Sequence, residues 1–224
     1  MSAVKQFVKD PEDFMKKNIV KMSVGGTSVK GRTGQFMLRE LSQTGRLPNG
    51  DACKVYQIEQ KSDKDSFTAY WCPYADDDVF AITLTDEANI MLTAKMNGCS
   101  FGIGQPGQDG SVRVAHSNVQ ESEKLKQIAE AMFQAFDPKG QTPEMVGLGY
   151  QKNMVKQQEQ WDLLHTDKGV GGLLSTEITP ALYRSLTLTT FGVRKKGKWE
   201  FHFHAYTEGV EPKLAGCFPF PNSR

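Results

Sequence analysis

"TDEANIMLTAKMNGCSFGIGQPGQDGSVRVAHSN", residues 85–118, carries a helix signal, a cysteine, a glycine-rich turn and a histidine in direct succession. Thr85 is placed to cap a helix, Asp86 and Glu87 suit its positive end, and Gly98 sits where a C-terminal glycine cap belongs. The spacing predicts a helix over 85–98. Beyond it, "GIGQPG" (102–107) formally matches the glycine fingerprint of a dinucleotide loop. Pro106 and the β-type run "SVRVA" then follow, where that loop needs a helix, so a hairpin is the better reading. Centring its turn on "GQPGQDG" pairs Ile103 with Val112, Phe101 with Val114 and Cys99 with His116, all six on one face. Opposed Cβ atoms lie about 5 Å apart, which brings the thiol to the imidazole.

Working outward, "CKVYQIEQ" (53–60), "SFTAYWC" (66–72) and "VFAITL" (79–84) read as strands, rich in β-branched and aromatic residues. "SLTLTTFGV" (185–193) and "KWEFHFHAY" (198–206), joined by "RKKGK", form a further hairpin. Between these groups, "ESEKLKQIAEAMFQAF" (121–136) sets Leu125, Ile128, Met132 and Phe136 on one helical face, and "NMVKQQEQWDLLH" (153–165) reads as another helix. Residues 1–17 read as a short amphipathic helix or a mobile arm. Strands, then helices, then strands predict an α+β fold: a mixed, largely antiparallel β-sheet sandwich packed with helices, in one domain over 1–224.

The 224 residues carry a net charge of +1, which gives no global drive toward nucleic acid or an anionic membrane. No apolar run approaches a transmembrane length, and "MSAVKQFVKDPEDFMKK" lacks the features of a secretory signal. The expectation is a monomer with a cytosolic fold and no nucleic-acid or membrane partner, exported only by a specialised secretion system. Cys53, Cys72, Cys99 and Cys217 lie far apart, which predicts free thiols without a disulfide framework or a zinc site.

An imidazole beside Cys99 can take the thiol proton and leave a nucleophilic thiolate. With Gly98 ending a helix, the Gly98–Cys99 backbone is placed to stabilise an oxyanion. A buried cysteine packed beside an inert histidine accounts for the same pattern.

Met96-Asn97-Gly98-Cys99, with Thr93 six residues before the cysteine and His116 seventeen after it, resembles the signature of the cysteine-dependent glutamine deamidase toxins. Within that family the segment is most similar to Burkholderia lethal factor, and more distantly to the cytotoxic necrotizing factors and the chemotaxis receptor deamidase. The resemblance covers residues 70–118, with Met96 and Asn97 where the lethal factor's motif has leucine and serine. It implies that Cys99 is the nucleophile, His116 the general base and Thr93 the residue that orients the imidazole. The implied reaction converts a glutamine of a target protein to glutamate through a thioester, with no cofactor or metal. The implied partner is a host protein, such as a translation-initiation helicase or a small GTPase, and the implied role is that of a virulence effector. Proteolysis, transamidation or acyl transfer use the same dyad, and a non-catalytic binding module remains an alternative.

Elsewhere, His202 and His204 share one strand face at a metal-ligand spacing, with no third ligand identifiable and an amphipathic strand as the simpler account. Residues 194–198 form a basic hairpin tip and Asp76–Asp78 a charged turn. Cys72 reads as a packed hydrophobe and His165 as a residue at a helix end.

Overall fold

A computed structural model describes residues 1–22, 33–74, 79–96, 100–104, 106–117, 155–156 and 186–219. The chain opens with two helices of seven residues each, α1 (Ala3–Lys9) and α2 (Pro11–Lys17). Asp10 divides them: its carboxylate accepts the Asp13 N–H at 3.0 Å as the N-cap of α2. Pro11 follows at the helix start, where its missing N–H costs nothing. Val4, Phe7, Phe14 and Met15 are buried, so residues 1–17 are a packed helical pair and not an arm. Phe7 meets the rings of Phe14 and Phe67 at 5.6 and 5.2 Å. Phe7→Ala is therefore expected to cost about 3–5 kcal/mol, read as a lower urea midpoint. An unchanged midpoint would show that the pair is not part of the core.

The larger sheet holds β1 (Ile19–Lys21), β2 (Thr33–Arg46), β3 (Ala52–Gln60), β4 (Phe67–Cys72), β6 (Ile90–Thr93), β10 (Leu186–Lys195), β11 (Lys198–Thr207) and β12 (Leu214–Pro219). Its order is β1-β3-β2-β4-β6-β10-β11-β12, parallel at β1–β3 and β4–β6 and otherwise antiparallel. The sheet curls into a nearly closed barrel. At the seam the Arg46 N–H donates to the Pro212 carbonyl at 2.9 Å, and Tyr206 and Leu214 pack with Ile19 and Val55. The smaller sheet, all antiparallel, has the order β5 (Val79–Leu84), β8 (Val112–Ser117), β7 (Ser100–Ile103), β9 (Val155–Lys156).

Alternation along the strands sends each face of the large sheet into its own core. Tyr70 and Cys72 of β4, Met91 of β6 and Phe201, Phe203 and Ala205 of β11 pack with Ile82, Phe101, Ile103 and Val114 of the small sheet. Trp71, Ile90, Leu92 and Phe191 turn the other way, toward Phe7, Phe14 and Met15 of the helical pair. Among the described residues no helix is long and apolar enough to cross a membrane.

This architecture corrects the expected helix-packed α+β sandwich: 59% of the described residues lie in strands, and only the two short helices accompany them. The helix expected over 85–98 is where the reading fails. Ile90, Met91, Leu92 and Thr93 are all buried in β6, between β4 and β10. A strand covered on both faces needs apolar residues at consecutive positions, and such a run also satisfies a helical pattern. Thr85 caps nothing; its hydroxyl and its N–H bond the Tyr70 hydroxyl at 2.8 and 3.0 Å. At the two described residues of the helix expected over 153–165, Val155 and Lys156, the chain is strand β9. The helix expected over 121–136 lies outside the described residues.

Candidate active site

The site begins with the pairing of β4 and β6. These strands run parallel with Cys72 in register with Thr93, and both are fully buried. His116 of β8, 1% exposed, faces them from the small sheet. The Thr93 hydroxyl donates to the Cys72 carbonyl at 2.9 Å and lies 2.7 Å from His116 Nδ1. A carbonyl only accepts, so the single hydroxyl proton is committed to Cys72. Thr93 must then accept from Nδ1–H, which assigns the imidazole its tautomer and leaves the Nε2 lone pair free. Nε2 is buried and has no hydrogen-bond partner among the described residues. A ring held at one nitrogen with the other unused is the arrangement a general base requires.

Cys72 shares this junction without being suited to attack. Burial pushes its thiol up to about 12, only partly offset by the backbone N–H of His116, so it stays protonated at neutral pH. Its Sγ–H points to the Phe80 carbonyl at 3.7 Å. The ring of Tyr74 lies against the imidazole, with centroids 5.4 Å apart. Sequence reasoning missed both residues at the site. Their link to His116 runs through the β4–β6 register, which is invisible once β6 is read as a helix.

The hairpin register differs from the expected one by two residues: Phe101 faces His116 and Ile103 faces Val114. Phe101 thus takes the place opposite His116 that the sequence reading assigns to Cys99. The cause lies in the turn. Gly110 N–H donates to the Gly107 carbonyl, and Gly110, at φ +76°, adopts the left-handed conformation, which moves the tip toward Gln108–Asp109. A shift of two keeps every side chain on its face, so the apolar face of Phe101, Ile103, Val112, Val114 and His116 is preserved. Gly98 and Cys99 lie outside the described residues. The described residues 85–96 form no helix, and Met96 bridges to Leu188 instead.

Burial lowers His116 to about 4, so the imidazole is neutral at pH 7. His204, fully buried, is also lowered to about 4 by burial. Between about pH 6.5 and 4 the unfolded chain binds protons that the folded chain refuses. Stability is therefore full above about 6.5 and is lost as pH falls toward 4, by about 3 kcal/mol for each ring. Urea midpoints at pH 7, 5.5 and 4.5 are expected to fall in step. A flat profile would mean that the rings accept protons without unfolding.

The "HFH" strand is buried on both faces, which corrects its reading as amphipathic. His204 Nε2–H donates to the Asn18 carbonyl at 3.2 Å, just past the end of α2. His202 stacks on Phe191 with its Nε2 3.8 Å from Glu12. Among the described residues no three His, Cys, Asp or Glu side chains converge as metal ligands. In the basic tip, Lys195 is engaged by Glu12 and Glu200 at 3.4 and 3.2 Å. Asp76–Asp78 and His165 lie outside the described residues.

No protein family matches the chain, and no curated protein does. Among solved structures it is similar to the C-terminal domain of CNFy from Yersinia pseudotuberculosis, at 9% sequence identity and a TM-score of 0.36. The match covers 68% of this chain and 61% of that one. The likeness is a weak one, at the level of the fold.

Proposed function

We propose that the protein is a cysteine-dependent protein-glutamine deamidase, with Cys99 as nucleophile, His116 as general base and Thr93 as the residue that orients the imidazole. The observation that carries this reading is the buried Thr93–His116 hydrogen bond at 2.7 Å, which leaves Nε2 free. The Met96–Cys99 motif supplies the thiol. In the first half-reaction Cys99 Sγ bonds to the carboxamide carbon of a target glutamine while Nε2 takes the thiol proton. The C–N bond then breaks, His116 returns the proton to the leaving nitrogen, and ammonia departs from a thioester. Water, deprotonated by the same nitrogen, attacks the thioester; the C–S bond breaks and glutamate and the thiol are released.

Converting a neutral hydrogen-bonding group to a carboxylate alters a partner's switch or catalytic site without cleaving it. The partner is a host protein bearing an accessible glutamine, reached through a specialised secretion system. The test is incubation with a eukaryotic lysate followed by mass-spectrometric mapping. Gln-to-Glu conversion that depends on the added protein is expected. Cleaved or cross-linked peptides without conversion would replace deamidation by proteolysis or transamidation at the same dyad.

A further inference from the structure

The aromatic contact on His116 is left over by the chemistry above. We propose that Tyr74 is a positioning residue of this site, its ring bracing the imidazole so that Nε2 keeps the orientation set through Nδ1. The proposal rests on the deamidase reading for its catalytic consequence, though not for the contact itself.

One hydrogen bond at Nδ1 fixes a point of the ring, and the imidazole can still rock about the line to Thr93 Oγ1. A ring packed against the imidazole removes that freedom. The rings of Tyr74 and His116 have centroids 5.4 Å apart at 52°, within the range of favourable aromatic pairs. The strand neighbours Phe80 and Phe101 flank His116 in register on either side, and Thr93 holds Nδ1. Tyr74 differs from all of these in being 42% exposed, against 1% for His116. Tyr74 thus joins the buried imidazole to the solvent-exposed surface. Its partial exposure also means that truncation leaves no core cavity, so the fold is expected to survive.

The experiment compares Tyr74→Ala and Tyr74→Phe in the full chain. Two quantities are read: the tautomer ratio of His116 from its ring ¹⁵N shifts, and the rate of ammonia release from desalted eukaryotic lysate protein. In Tyr74→Ala the Nδ1–H tautomer is expected to lose its dominance and the rate to fall roughly tenfold, as for a misplaced catalytic group. Tyr74→Phe keeps the ring and is expected to restore both. A Tyr74→Ala protein with wild-type shifts and rate would overturn the proposal. Shifts that move in Tyr74→Ala and return in Tyr74→Phe, in a protein whose wild type releases no ammonia, would uphold the brace and refute the deamidase reading.

Discussion

The Cys99→Ser protein is expected to release ammonia from target protein at least about a thousandfold more slowly than wild type, with an unchanged urea midpoint. In the proposed mechanism a serine hydroxyl is a far weaker nucleophile than the thiol it replaces, and losing the nucleophile forfeits covalent catalysis outright. The other three cysteines are poor substitutes. Cys53, Cys72 and Cys217 are buried free thiols, and burial raises all three, Cys72 to about 12. At pH 7 none of them presents an appreciable thiolate. Iodoacetamide is accordingly expected to modify Cys99 first, and mass spectrometry of the labelled peptides reads this directly. Retained deamidation in Cys99→Ser, or equal slow labelling of all four cysteines, would remove Cys99 from the mechanism.

Under the proposed mechanism His116→Ala is expected to have the second large effect, a loss of about 10²–10⁴ in deamidation rate, the usual contribution of a positioned general base. The wild-type pH profile carries a further signature. Because burial holds His116 at about 4, the imidazole remains in its base form throughout the neutral and mildly acidic range. Activity is therefore expected to show no step near 6.5, where an exposed histidine titrates. A step at that value, absent from His116→Ala, would place the working imidazole in water rather than behind Thr93 and Tyr74.

Strands β3, β4, β5, β10 and β11 are legible as β-branched and aromatic runs between turn residues. β2 is not, because only Phe36, Leu38 and Gly45 among its fourteen residues are buried. β6 is misread for the opposite reason: burial on both faces erases the period-two pattern that marks a strand. The hairpin's faces are legible from alternation, whereas its register depends on where the turn centres within 104–110, a backbone choice that residue types leave open. His202 and His204 share a metal-ligand spacing in the sequence; in the fold one packs on Phe191 and the other meets the Asn18 carbonyl.

By itself, then, the chain determines local facts: strand-forming segments, the turn at 104–110, and a motif that singles out Thr93, Cys99 and His116. Tertiary structure alone decides that Thr93 bonds His116, that the imidazole is neutral with Nε2 free, and that Cys72 and Tyr74 adjoin it. The reason is distance along the chain. Thr93 and His116 are brought to 2.7 Å by the packing of two different sheets, and Cys72 joins them through a parallel register. A parallel pair has no hairpin to announce it, so only the assembled core, burying both faces of β6, brings these groups together.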